Sequence, residues 1–388
     1  MSETPEALAE RALKALQNDD PRAARTLLMQ ALEAGPNRPD LIHALGVVQL
    51  QLGEPEMGKA LITQAIAIVQ EERILPARRE QAEMMLEGFR LGLAAACEDL
   101  DEPEEARRLY IEVLEDNPGQ PRARQGHAHL LLAVGELDAG RAELATYAGE
   151  DRDDDNFIEG ATALSGEIAA FLKDDVHPRE FLNAHRGAYV EFFDEHAEEQ
   201  GRLGWIAEAA KMKRNPDGTI VPAVPEGAQP YAGVRVDLVN PRTSEVGQIG
   251  DQPMVVALER FPTLARAPIL FAWRDLPFDL RVSSQCPWDQ LPIQVLLAHA
   301  NGALALDGVV GDWYTAGFDG RWGSREGGRF HYVSDPEPRR GGRGVVYHVD
   351  LGRAGVECID DLIRRLIVLH ASAPIQRVVL GRGFLPAV

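Results

Sequence analysis

The chain is 388 residues long, enough for two or three domains, and its 45% hydrophobic content is that of globular material able to bury a sizeable core, which excludes a disordered polypeptide. Its formal net charge of −21 is unevenly spread: residues 1–150 carry 27 Asp and Glu against 15 Lys and Arg, residues 151–204 carry 14 against 5, and residues 205–388 balance at 20 against 20. An acidic front half repels phosphate backbones and anionic lipid headgroups and attracts basic partners, so neither nucleic acid nor a membrane surface is an expected ligand there.

Three widely spaced cysteines, Cys97, Cys286 and Cys358, give neither a disulfide framework nor a CxxC-type zinc site, and fit a reducing compartment. The first residues, Met-Ser-Glu-Thr-Pro-Glu, lack a basic and an apolar leader region, and no apolar run is long enough for a membrane-spanning helix. A cytoplasmic, soluble protein is the expectation.

In chain order, the first signal is an internal repeat. The stretch from Ala23 to Pro36 places Ala24, Leu28 and Ala31 on one helical face and ends on a proline, with Leu8 and Ala12 on a preceding helix. After a shift of 34, Ile42, Leu45, Gly46, Gly53, Ile62 and Ala65 take corresponding positions. A third unit fits Leu93, Ala94, Ala106, Tyr110 and Pro118 after a shift of 48, and a fourth fits Ala128, Leu131, Gly135, Gly140 and Leu144 after a further 34. The longer shift implies 14 extra residues, roughly Gln70 to Met84.

Residues 5–148 thereby resemble the tetratricopeptide repeat family, although the positions that hold tryptophan and tyrosine in its first helices are Leu8 and Ala15, Ile42 and Gln49, then Arg90 and Cys97. The resemblance implies stacked helix pairs sharing one core, and a concave groove, lined by first helices, that binds a peptide or helix of a partner protein. Polar residues on first helices, His43, Gln49, Arg90, Arg124 and His127, are the candidate groove contacts; a merely solvated role is the alternative for each. The implied function is that of a non-enzymatic scaffold or adaptor with a basic or amphipathic protein partner and no cofactor.

A helical extension is expected over 149–214. Ile158, Ala161, Leu164, Ile168 and Phe171 form an apolar stripe, and Phe181, Ala184, Ala188, Phe192 and Trp205 suggest one or two further helices that cap the array. Tyr189, Phe192, Phe193 and Trp205 could instead hold the following domain. A linker is placed at 215–230, after the basic turn 211–218.

From 231 to 388 the pattern predicts an α+β domain. Residues 234–239 alternate as a strand and 254–258 read as a buried one. Two strand-helix-strand units follow. The first runs through Ile269 to Trp273, a helix from Pro287 to about Ala300, and a strand over Ala303 to Leu306; the second through Val345 to Leu351, a helix over Cys358 to His370, and Arg377 to Leu380. The expected topology is a sandwich of ferredoxin-like type, with two helices on one face of an antiparallel sheet. No family resemblance is assigned to this part.

Four constellations there could carry chemistry. Cys286, just ahead of the predicted helix, would feel its N-terminal dipole and gain thiolate character, with His331 or His348 and Asp335 or Asp350 completing a triad. Gln285, Cys286 and Trp288 resemble papain-like and transglutaminase-like nucleophile segments, from which Pro287 departs; the alternative function is therefore a cysteine-dependent hydrolase or acyl-transferase. His348-Val349-Asp350 resembles the iron-binding triad of 2-oxoglutarate oxygenases, but its second histidine could only be His370, within a predicted helix, so no metal is expected. Arg339, Arg340 and Arg343, with the glycine loops 327–329 and 341–344, could cradle an anion or form a mobile hairpin. The aromatic-glycine segments 312–314 and 318–323 read as loops that anchor an interface or cover a sheet edge.

Overall fold

The computed structural model describes residues 4–71, 79–148, 155–196, 198–206, 213–214, 220–221, 231–239, 260–266, 268–323 and 330–385. The chain divides into two compact units, Met1–Ala170 and Phe171–Leu385.

The first unit is helical: α1 (Pro5–Gln17), α2 (Pro21–Ala34), α3 (Pro39–Gln51), α4 (Pro55–Glu71), α5 (Arg79–Asp99), α6 (Pro103–Asp116), α7 (Pro121–Val134), α8 (Leu137–Ala148) and most of α9 (Asp155–Lys173). Six of these begin on a proline, which tolerates the first turn because its missing N–H has no intrahelical acceptor there. The Asp20 carboxylate accepts from Ala23 N at 2.9 Å to cap α2. From α1 to α8 each helix packs on the next, and Leu8, Ala12, Ala24, Leu28, Ala31, Leu41, Leu45 and Val48 form one buried cluster across the first three.

The repeat is written into the turns inside each pair. Asp19, Gly53, Asp101 and Gly135 all have left-handed backbone, with φ of 56, 75, 56 and 89°. The next amide in each case bonds back to a carbonyl five positions earlier: Asp20 to Ala15, Glu54 to Gln49, Glu102 to Cys97 and Glu136 to Leu131, at 2.8–2.9 Å. The same Schellman closure thus occurs four times, and its residue numbers advance by 34, then 48, then 34. The predicted period and its longer second step are therefore structural. Of the inserted segment, residues 72–78 lie outside the described residues.

The second unit carries α10 (Arg179–His196), the antiparallel pair β1 (Glu198–Ile206) with β4 (Tyr231–Val239), the short pair β2 (Lys213–Arg214) with β3 (Ile220–Val221), and a mixed sheet. Trp205, expected in a helix, is thus on a strand. The mixed sheet contains β5 (Leu270–Trp273), β6 (Asp279–Ser283), β7 (Leu291–Leu297), β8 (Tyr332–Val333), β9 (Glu337–Arg339), β10 (Gly344–Asp350) and β11 (Ile375–Leu380), with α11 (Ala303–Phe318) and α12 (Glu357–His370). Strand order is β5-β6-β11-β7-β10-β8, with β9 also on β10.

The α+β assignment holds; the ferredoxin-like topology does not. β10-α12-β11 is a split crossover around β7, but α11 joins the antiparallel neighbours β7 and β10, and β6 with β11 is a parallel pair. The first predicted strand-helix-strand unit is also overturned. Residues 291–297 are a strand buried at every position, so they lack the alternation that distinguishes a strand from a helix. Residues 303–306 open α11, and 312–314 lie inside it; its buried stripe Leu306, Val310, Trp313 and Gly317 has helical spacing that its glycines obscure. The predicted strand at 254–258 lies outside the described residues.

Register fixes the core. Phe271, Val282, Leu380, Ile293 and Tyr347 are paired across five strands and share one face, and Tyr347 donates to Asp307 of α11 at 3.4 Å. Phe171 and Phe181 pack on Phe271 of that face, with ring centroids 4.1 and 5.1 Å away. Each such aromatic pair adds about 0.5–1.5 kcal/mol beyond area burial. The opposite face gathers Leu270, Leu296, Val379 and Leu385.

Candidate functional site

In the helical unit the five first-helix candidates fall into two classes. His43 stacks on Phe89 of α5, with centroids 4.4 Å apart, and burial pushes its pKa down, so the ring is neutral and acts as inter-repeat packing. Gln49 is 5% exposed; its amide nitrogen lies 2.7 Å from the Met57 sulfur and its Oε1 is buried without a hydrogen bond. Arg90 is paired with Asp116 at 2.8 Å and Glu112 at 3.7 Å. Arg124 and His127 converge on Glu143 of α8 at 3.5 and 3.7 Å, and Arg124 also donates to the Pro118 carbonyl at 2.5 Å.

Most basic side chains of this unit are committed in the same way. Arg38 bridges Glu6 and Asp40, Lys59 pairs with Glu102, Arg107 with Glu136 at 2.8 Å, and Arg108 with Glu105 and Glu112. With 27 acidic residues against 15 basic ones over 1–150, these pairs leave an acidic surplus of 12.

In the second unit the thiol of Cys286 is fully buried. It donates to the Ser283 carbonyl at 2.9 Å, and burial pushes its pKa up. The expected helix dipole is missing, because residues 291–297 are strand; the physical reason for an activated thiol falls with it. The ring beside Cys286 is His185 of α10, whose Nε2 lies 3.2 Å from Cys286 N and 2.9 Å from Ser284 O. It accepts from the former in one tautomer and donates to the latter in the other. Sequence reasoning missed His185 because it stands far from the cysteine along the chain, with no pattern linking them.

His331 Nδ1 does meet Asp350 Oδ2 at 3.2 Å, and Asp350 Oδ1 also accepts from Gly352 N at 2.8 Å. His348 sits on β10 with its backbone N–H donating to Ser334 Oγ at 2.9 Å. Asp335 is exposed in the loop after β8. Asp289, also missed, is 7% exposed, with Oδ2 lacking a hydrogen bond; burial, then the charge of Asp350, pushes its pKa up. No group of three or more His, Cys, Asp or Glu among the described residues could hold a metal ion. Arg339 pairs with Glu337 at 3.0 Å, and the Arg343 carbonyl accepts from Leu297 N at 2.9 Å. The Arg340 side chain and residues 327–329 lie outside the described residues.

No described helix is long and apolar enough to cross a membrane. Residues 89–159 match the family described as tetratricopeptide repeat. Similar solved structures include the first repeat domain of Spaghetti (RPAP3) bound to an HSP90 peptide, 19% identical, covering 34% of this chain and 92% of that one at a TM-score of 0.27. YrrB, described as a tetratricopeptide protein with an unusual peptide-binding site, is 15% identical over 43% of this chain and 77% of its own, with a TM-score of 0.32. A thermophilic tetratricopeptide protein of Thermus thermophilus is 18% identical over 42% of this chain and all of its own, with a TM-score of 0.26. No curated protein sequence matches the chain. Residues 89–159 of the helical unit are thus similar to a tetratricopeptide repeat, and they include two of the four closures that advance by 34, 48 and 34 residues.

Proposed function

We propose that the protein is a non-enzymatic adaptor whose repeat array captures a basic or amphipathic peptide or helix of a partner protein, while the α+β unit supplies a second contact or an oligomer interface. The carrying observation is the repeat array itself, whose basic side chains are tied up in ion pairs and leave the acidic surplus facing outward. Opposite charge raises encounter rates and selects against acidic competitors, and it weakens as salt screens it. Arg90, Arg124 and His127 then shape the groove by orienting carboxylates. A cytoplasmic setting agrees with three buried free cysteines.

The test is a fluorescence-anisotropy screen of the full chain against helical and extended peptides of matched length with net charge from strongly basic to strongly acidic. Basic peptides should bind, with affinity falling as salt rises. Preference for acidic peptides, or salt-independent binding of every class, would sink the reading.

A further inference from the structure

Three strands of the mixed sheet point the same way: β6 and β11 pair in parallel, and β10 and β11 both run antiparallel to β7, which lies between them. Their carboxyl ends, Ser283, Asp350 and Leu380, therefore share one end of the sheet. Open α/β sheets bind ligands at that end, where the loops after the strands gather. The turn before β7 closes onto it: Leu351 N donates to the Trp288 carbonyl at 3.2 Å, and Trp288 Nε1 donates to the Gly352 carbonyl at 3.0 Å. Asp289 is thereby set beside the end of β10.

Asp289 is 7% exposed, and its Oδ2 is buried with no hydrogen-bond partner. An acceptor buried and left unmade costs stability, so such an oxygen calls for a partner from outside the fold. Asp350 beside it is already oriented, Oδ2 toward His331 Nδ1 at 3.2 Å and Oδ1 accepting from Gly352 N at 2.8 Å, with its side chain 13% exposed. Two side-chain charges act on Asp289 through space, and the Asp350 carboxylate outweighs the Arg382 guanidinium. Arg382 is exposed after β11 and makes no hydrogen bond to the orphaned oxygen. The field there is thus negative, and burial together with Asp350 favours the protonated form of Asp289 until a cation stands beside it.

We propose that Asp289, backed by Asp350, is the binding site for one ammonium or guanidinium group, supplied by a lysine or arginine of the basic partner segment. A cation carrying N–H donors satisfies the oxygen and the negative field together, whereas an anion fails on charge and a neutral donor leaves the charge unanswered. A divalent metal is a poor occupant, because no third ligating side chain joins the two aspartates among the described residues. This site deepens the basic-partner reading above, on which it rests, and gives the α+β unit its second contact.

The test titrates methylguanidinium, butylammonium and tetramethylammonium chlorides into the full chain at constant ionic strength. Tryptophan fluorescence is the readout, since Trp288 adjoins Asp289 and every tryptophan lies at position 205 or beyond. The first two cations should give a saturable change at about millimolar concentration, and tetramethylammonium, which has no N–H, should bind about tenfold or more weakly. Asp289→Asn should weaken binding of the first two by about tenfold or more, whereas Asp312→Asn, at an exposed position of α11, should not. With no probe present, Asp289→Asn should raise the fluorescence unfolding midpoint near neutral pH, where the unfolded carboxyl is ionised and the folded one is confined without a partner. A lowered midpoint would mean that the carboxyl is spent within the fold, and no saturation up to about 100 mM would mean that it holds an ordered water only. Either result overturns the proposal, as does equal binding of all three cations or undiminished binding by the Asp289→Asn chain. A chain that takes methylguanidinium through Asp289 but fails the peptide screen loses only the role of the array, and the converse result removes only this site.

Discussion

The close packing inside a repeat makes a sharp test at Gly46. A Cβ there would fall 2.7 Å from Ile62 Cγ1, 3.0 Å from the Gly58 carbonyl oxygen and 3.3 Å from Leu61 Cβ. Ordinary carbon contacts lie near about 3.5–4.0 Å, so the shortfall against Ile62 is about 1 Å. Ile62 is fully buried and has no space to turn into, and the oxygen belongs to the backbone of α4. Replacing a helical glycine by alanine gains about 1 kcal/mol from backbone entropy, whereas overpacking a filled core costs about 1–3 kcal/mol. Because both a buried side chain and a backbone atom resist, the cost sits near the top of that range, and Gly46→Ala should destabilise by about 2 kcal/mol. The control is Gly88→Ala on α5, where a Cβ meets nothing within 4 Å; it should stabilise by about 0.5–1 kcal/mol. All five tryptophans lie at position 205 or beyond, so their fluorescence reports the α+β unit, whereas far-ultraviolet dichroism is weighted to the repeats. For a unit of this size the Gly46→Ala change lowers the dichroism midpoint by about 4–8 °C. If Gly46→Ala matched Gly88→Ala, the contact between α3 and α4 would be wrong.

Asp19→Gly should stabilise the repeats by about 0.5–1 kcal/mol in chemical denaturation by relieving a left-handed non-glycine residue, and Gly53→Ala should cost a similar amount. A chromogenic disulfide reagent near neutral pH should find no fast thiol in the native chain and three after unfolding, because Cys97, Cys286 and Cys358 are all buried with pKa values pushed up, that of Cys97 to about 12. His185→Leu should cost about 1–3 kcal/mol, read by tryptophan fluorescence, since it strips the ring's one hydrogen bond, to Ser284 O or from Cys286 N according to tautomer, in a buried site. Burial lowers the pKa of His43, His127, His129, His177 and His185, so the unfolded chain binds more protons than the folded one once pH falls below about 6.5. The histidine contribution to stability is thus full above that pH and lost as pH falls toward the folded values, which denaturation midpoints at pH 7.5 and 5.5 would reveal.

The repeats were legible because the same physical event recurs. A left-handed residue closes each pair at a constant register, and Gly53 and Gly135 mark two of the four closures by type alone. Asp19 and Asp101 do the same job without that signature, so only the spacing exposes them. In the α+β unit the second crossover was legible because α12 is amphipathic, burying Cys358, Ile359, Leu362, Ile363, Leu366 and Leu369. The region before it was not. β7 is buried on both faces and α11 carries glycines on its outward side, so the true strand had lost its alternation and the true helix looked like a loop.

Polar residue type was a weak guide to exposure on the first helices. His43 and Gln49 are polar by composition, yet one stacks on Phe89 and the other is nine-tenths buried, because neighbouring first helices press against each other as well as against their partners. Arg90 and Arg124 are spent on carboxylates of later helices, Asp116 and Glu143. Each such pair at partial exposure is worth about 0–1 kcal/mol to stability. Their larger effect is on the field: with the cations neutralised locally, the 12 surplus acids act together over about 8 Å at physiological salt, which is the basis of the proposed preference for a basic segment. The insertion falls in the step from Gly53 to Asp101, and that longer step is the feature that sets this array's spacing apart from a regular one.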